Sequence, residues 1–205
     1  ALLENRFIDV LVSTGANIFH DICEHVGVRH YLGHHMADDE ALFRQGIDRI
    51  YDIFAYEEEF RLVDGKIAEL AREHNGFSGS SAEFVRLLGT WLLKHYPSGR
   101  SMTATAARLG IPIFIPALSD SSIGIALVMA RRDGCQVMID QLADAEELTK
   151  YVERSQKTGV VYIGGGVPKN FIQQTQVIAS IHNHDCGGHD YAIQYTTDTP
   201  HHGGL

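Results

Sequence analysis

Apolar positions along the chain fall into two patterns, short unbroken runs and stripes at helical spacing, and the two alternate. Phe7-Ile8-Asp9-Val10-Leu11-Val12 reads as a buried strand, Ser13-Thr14-Gly15-Ala16-Asn17 as the polar turn after it, and Ile18 to Val26 as a helix. The unit recurs. Gly110 to Leu118 is an apolar strand containing Pro112 and Pro116, Ser119-Asp120-Ser121-Ser122 a polar turn, and Ile123 to Arg131 a helix. Val160-Val161-Tyr162-Ile163 predicts a strand buried on both faces, and Gly164-Gly165-Gly166 lets the backbone turn with positive φ. Pro168 then suits the first turn of a helix that runs on through Ile178. Val137 to Asp140 and Asp190 to Thr197 supply two more strands.

The remaining segments are mostly helical. Asp38 or Asp39 caps a helix into Gln45, and Glu57 to His74 carries Phe60, Val63, Ile67 and Leu70 on one stripe with charges opposite. Ser80 or Ser81, with Glu83 in the first turn, starts a helix that ends near Pro97. Met102 to Leu109 and Asp144 to Ser155 are two further helices, whereas Gly46 to Tyr56 fits either pattern. Apolar strands alternating with helices predict an α/β fold, a mainly parallel sheet with helices on both faces, in a single domain over 1–205.

Four polar turns follow predicted strands: Ser13 to Asn17, Ser119 to Ser122, Gly164 to Gly166 and Thr196 to Asp198. In a parallel sheet they converge on the carboxyl edge, where such sheets bind ligands. Glycines there allow close approach of an anionic group to free backbone N–H at a helix start. The spacing matches neither G-x-G-x-x-G nor the P-loop, so a tight turn serving only packing is the competing reading. Asp120 likewise reads as a ligand for a ribose hydroxyl or a cation, or as a helix N-cap.

Composition narrows the function classes. The chain has 205 residues, 44% of them hydrophobic and 21% charged, as expected of an ordinary globular domain. A formal net charge of −9 without a basic cluster argues against nucleic acid as partner. Cys23, Cys135 and Cys186 are odd in number and widely spaced, which favours a reducing compartment over a disulfide framework. No apolar run has the length a bilayer span needs, so no membrane partner is expected. Ala1-Leu2-Leu3-Glu4 reads as the tail of a helix and 199–205 as an uncapped loop; the expectation is a domain incomplete at both ends.

His182-Asn183-His184-Asp185-Cys186-Gly187-Gly188-His189 has metal-ligand residue types, but no paired His-x₃-His or Cys-x₂-Cys spacing, and no metal is expected. His20, His30, His34, His35, His201 and His202 read as solvent-facing or satisfied core residues. No G-x-S-x-G motif supports hydrolase chemistry.

Four segments in order, Asp9 to Ala16, Pro116 to Gly124, Ile163 to Lys169, and Asp190 to Ile193 with Thr196-Thr197, resemble the deoxyhypusine synthase family. The resemblance runs through nearly the whole chain. It implies a Rossmann-like α/β domain assembled as a cytoplasmic homotetramer, with active sites at a dimer interface. It also implies NAD as cofactor and transfer of an aminobutyl or related alkylamine group from a polyamine such as spermidine. The acceptor is a lysine of a translation-factor precursor in the eukaryotic and archaeal enzymes and putrescine in the related homospermidine synthases. By motif position Ser13, Thr14, Gly15, Asp120, Gly164, Gly165, Gly166, Thr196 and Thr197 would line the NAD site.

The departures from the family pattern are informative. Positions that carry acidic or histidine contacts to spermidine correspond to Phe19, Ile125, Asn170 and Gly204, with Ile125 in place of an Asp and Asn170 in place of a His. The chain therefore resembles the bacterial deoxyhypusine synthase-like branch, with a small amine as acceptor. The family's catalytic lysine, in a Trp-Gly-Lys-like segment, is expected beyond Leu205; Lys169 is not its equivalent. A catalytically silent NAD- or polyamine-binding module and a metal-dependent enzyme using the 182–189 loop are the alternatives.

Overall fold

Short polar side chains start most of the helices. In the computed structural model, which describes residues 1–181, 187–199 and 201, Thr14 caps α1 (Gly15–His25) by accepting from Asn17 N at 3.3 Å. Asp38 caps α2 (Asp39–Arg44), and α3 (Glu57–Glu73) follows. Ser80 and Glu83 close a reciprocal capping box at α4 (Ser81–His95), satisfying two backbone donors that the helix leaves open. Ser101, Ser121 and Asp140 cap α5 (Met102–Leu109), α6 (Ser122–Arg132) and α7 (Gln141–Arg154), and α8 spans Gly166–Ile181.

The described strands form a mixed α/β arrangement of small ladders. β1 (Leu11–Val12) pairs in parallel with β6 (Ile113–Phe114), in the register Leu11 to Ile113 and Val12 to Phe114. β5 (Phe77–Gly79) pairs in parallel with β7 (Val137–Ile139), and β8 (Gly159–Ile163) with β9 (Tyr191–Tyr195). β2 (Tyr31–Leu32), β3 (Ile47–Ile50) and β4 (Ile53–Tyr56) make an antiparallel ladder in the order β2-β4-β3. The parallel pairing expected from the sequence is present, but in separate two-stranded ladders. Pro112 and Pro116 bracket β6, and a residue without an N–H cannot extend a ladder, so the long apolar run yields a two-residue strand.

Gly46 to Tyr56 resolves as a hairpin, with Tyr51 turned to φ 57° between Ile50 and its partner Ile53. Arg49 clamps it to α2 through Asp39, whose carboxyl the guanidinium holds below the usual carboxylate range.

The main core lies between α1, α3, α4, α5 and α6. Val63, Ile67 and Leu70 of the α3 stripe are buried there, with Phe60 packed at the edge. Cys23 and Cys135 are buried free thiols; burial pushes the Cys23 thiol up to about 12, and Cys135 Sγ donates to Ala71 O. Val10 and Val12, together with Phe171 and Ile172 of α8, pack against a smaller cluster of Ala82, Phe114 and Leu148.

One strand departs from its expected environment. In β8 only Tyr162 is buried, while Val161 and Ile163 are 60% and 88% exposed. The pleat sends alternate residues to opposite faces, and α8 covers the Tyr162 face alone.

Candidate functional site

The carboxyl ends of the β1–β6 pair bring two of the polar turns into contact. Ser13 N donates to Phe114 O at 3.0 Å, extending the ladder by one bond, and the chain then enters α1 at Thr14. A Cβ on Gly15 would lie 2.3 Å from Ser121 Oγ and 2.5 Å from Ser121 Cβ, so this glycine is needed for the two turns to touch. Ser121 is the helix cap: its hydroxyl accepts from Gly124 N and donates to Leu118 O at 2.7 Å. The cap reading of Asp120 is thereby set aside. Asp120 is exposed, and among the described residues its carboxylate makes no hydrogen bond. Its backbone N–H holds Ala117 O at 2.9 Å, and Ala117 sits at φ 58°, a left-handed conformation costing a non-glycine residue on the order of 1–3 kcal/mol. Strain stored beside a polar turn is typical of sites the surrounding structure over-determines.

The β8–β9 pair brings the other two turns together. Gly164, Gly165, Gly166, Thr196 and Thr197 line one open hollow of about 690 Å³, with Gln194, Tyr195 and Asp198. The volume is that of a small-molecule cleft. Gly164 and Gly166 have φ 80° and 69°, and a Cβ on either would meet nothing within 4 Å. The backbone is therefore bare toward the hollow at the start of α8, an arrangement that accepts an anionic group. Thr196 Oγ1 accepts from Asp198 N at 3.1 Å, which shapes the opposite rim.

The four turns are thus joined as two pairs, Ser13–Gly15 with Ser119–Ser121 and Gly164–Gly166 with Thr196–Asp198. α8 ties the pairs together, because its Phe171 and Ile172 pack on the cluster that holds Val12 and Phe114. Of the residues aligned with amine contacts, Phe19 is buried in the core, edge-on to Phe60 with ring centroids 5.5 Å apart. Ile125 is 55% exposed on α6, and Asn170 is exposed just past the first turn of α8. Gly204, and residues 182–186 of the histidine-rich loop, lie outside the described residues. His189 Nδ1 lies 3.0 Å from Thr158 Oγ1, at the end of β8 away from the hollow.

The sequence motifs single out neither Gln194 nor the burial of Lys169. Gln194 points inward from β9, and Lys169 is 3% exposed, with Nζ 2.8 Å from Gln194 Oε1. The alternation along β9 is a signal for Gln194; a lysine three residues past a glycine turn carries none for burial.

The deoxyhypusine synthase family model matches residues 1–205. The chain is 59% identical over its whole length to a protein named probable deoxyhypusine synthase 2 of Methanosarcina acetivorans, covering 59% of it. It is 52% identical to the protein of that name in Archaeoglobus fulgidus, covering 66%, and 39% identical to a deoxyhypusine synthase-like protein of Elusimicrobium minutum, covering 56%. The chain thus spans about three-fifths of the length of the curated relatives it matches. A crystal structure assigned as a deoxyhypusine synthase from Entamoeba histolytica superposes with a TM-score of 0.61 at 20% identity, over 80% of this chain and 50% of that one, a likeness of fold.

Proposed function

The chain belongs to the deoxyhypusine synthase family, and from that premise we propose that the full-length protein is an NAD-dependent transferase. It moves an aminobutyl or related alkylamine group from a polyamine such as spermidine to an acceptor amine. One observation carries the cofactor: the bare glycine backbone of 164–166 faces Thr196 and Thr197 across a single hollow at the ends of two parallel strands. In this reading the domain is Rossmann-like and Ser13, Thr14, Gly15, Asp120, Gly164, Gly165, Gly166, Thr196 and Thr197 hold NAD. The glycine amides and the start of α8 take the pyrophosphate, and the exposed Asp120 carboxylate accepts from a ribose hydroxyl. When bound, NAD supplies the hydride acceptor that lets an amine be oxidised to an imine and the product imine be reduced again.

The nucleophile of this mechanism is a lysine, which the family pattern puts beyond Leu205. The amine site would include Ile125 and Asn170, with Phe19 supporting it from the core. A polyamine ammonium against uncharged side chains loses hydration without compensation, so the amine is shorter, differently registered, or neutralised by other carboxylates. A free diamine is then preferred over a protein lysine as acceptor. Free thiols at Cys23 and Cys135 suit the cytoplasm, and a homotetramer is the assembly this reading carries. Ile125 and Asn170 bring no charge, which favours a second reading, a module that binds NAD or polyamine without turnover. The test supplies full-length protein with NAD and spermidine, and either putrescine or a translation-factor precursor, and follows products by mass spectrometry. Alkylated putrescine is expected. Modification of the protein acceptor alone would overturn the acceptor assignment, and NAD binding without any product would leave the silent module.

A further inference from the structure

Lys169 stands where a lysine is doubly disfavoured. It is in the first turn of α8, where the helix dipole opposes a cation, and it is 3% exposed although its long stem would ordinarily carry the ammonium to water. What it gains is specific. Nζ donates to Gln194 Oε1 at 2.8 Å and lies 5.5 Å from the centroid of the Tyr162 ring, a cation–π distance.

The partner is itself engaged at its other end. An amide side chain accepts at one end and donates at the other, whereas an ammonium only donates, so the lysine fixes which way Gln194 points. The free end is then the donor, and Gln194 Nε2 gives a hydrogen bond to Gly164 O at 2.8 Å. Gly164 N donates in turn to Tyr195 O at 2.8 Å. The first glycine of the turn, at φ 80°, is thus held through both its backbone polar groups from adjacent residues of β9, and one of the two bonds depends on the orientation that Lys169 imposes.

We propose that Lys169 is a positioning residue for the glycine turn. Through Gln194 it fixes the Gly164 carbonyl, and from beneath the hollow it adds positive charge that favours the anionic part of a dinucleotide over its uncharged halves. The preference for pyrophosphate rests on the NAD reading above; the control of the turn does not.

The test uses the full-length protein with Lys169→Met and Gln194→Glu. Gln194→Glu keeps a partner for the lysine but gives Gly164 O no donor and cancels the charge. In both variants hydrogen exchange at the Gly164 amide is expected to quicken by about tenfold or more, while Val160 to Ile163 keep their protection. In calorimetry both are expected to lose about tenfold in NAD affinity, ~1.4 kcal/mol, with adenosine affinity unchanged. Unaltered exchange at Gly164 in Lys169→Met would overturn the positioning role. Equal losses for NAD and adenosine, with a lowered melting temperature, would show a lysine that supports only the fold. If the parent protein binds no NAD, the cofactor reading fails, and the Gly164 exchange alone still decides the role of the lysine.

Discussion

Gly15 and Ser121 share a space that holds only one side chain. The helix-start backbone of one turn lies so close to the capping hydroxyl of the other that a methyl group on Gly15 would stand 2.3 Å from Ser121 Oγ. Gly15→Ala is expected to destabilise the domain by about 1–3 kcal/mol, the usual cost of overpacking. Gly15→Ala with Ser121→Gly is expected to recover most of it, since replacing a serine N-cap by glycine costs only a few tenths of a kcal/mol. Thermal melts of the two single variants and the double variant measure this, and additive losses would contradict it.

Asp120 is free of structural duty because Ser121 does the capping. Asp120→Ala is therefore expected to melt with the parent protein and to weaken NAD binding by about 1.5–3 kcal/mol, the worth of one charge-assisted hydrogen bond. Calorimetry on the folded variant is the check, and an unchanged affinity would remove the residue from the site.

The three glycines of the turn make different demands. Gly164 and Gly166 occupy left-handed conformations, but Gly165 does not, and a Cβ on it would only touch Gln194 Nε2 at 3.6 Å, an ordinary contact. Gly165→Ala is expected to leave stability within about 0.5 kcal/mol while lowering NAD affinity, whereas Gly164→Ala is expected to cost about 1 kcal/mol or more in folding. Equal effects of both on stability would show that the turn is not held as described.

Asp144 predicts a pH dependence. Its side chain is fully buried, it accepts from Ala82 N at 3.3 Å, and burial pushes its carboxyl up to about 6. The unfolded group titrates near ~3.9, so between about pH 4 and 6 the folded state keeps a proton that the unfolded state has lost. Stability from this group therefore falls as pH rises through that window. Asp144→Asn is expected to be more stable than the parent at pH 7.5, by roughly 3 kcal/mol at most, with the difference closing at pH 4. Denaturant titrations at the two pH values decide it; a constant difference would mean that ionisation is not the cause.

Sequence reasoning reached those parts of the molecule where one residue's chemistry settles the backbone. Ser80 with Glu83 marked the start of α4, and the glycine run marked the turn into α8. Parts that depend on distant neighbours were not legible. α7 starts at Gln141 under an Asp140 cap, three residues before the expected Asp144, whose carboxylate turns inward to accept from Ala82 N at the start of α4. The β3–β4 hairpin turns at Tyr51-Asp52, with no glycine or asparagine to announce it. At the site the four polar turns could be named from their place after apolar runs. Their meeting in pairs could not, because it depends on strand register and on α8 packing beside Phe114.

The burial of Cys23 makes the core report on its own opening. Alkylating reagents react with the thiolate, and a thiol titrating at about 12 supplies only about one thiolate in 10⁵ molecules at neutral pH, behind a wall of packed side chains. Reagent reaches that sulfur when α1 comes away from α3, α5 and α6 and the group regains its ordinary acidity. Peptide-resolved alkylation of Cys23 is then a clock for the rare excursions of the domain, read without a dye or an engineered probe.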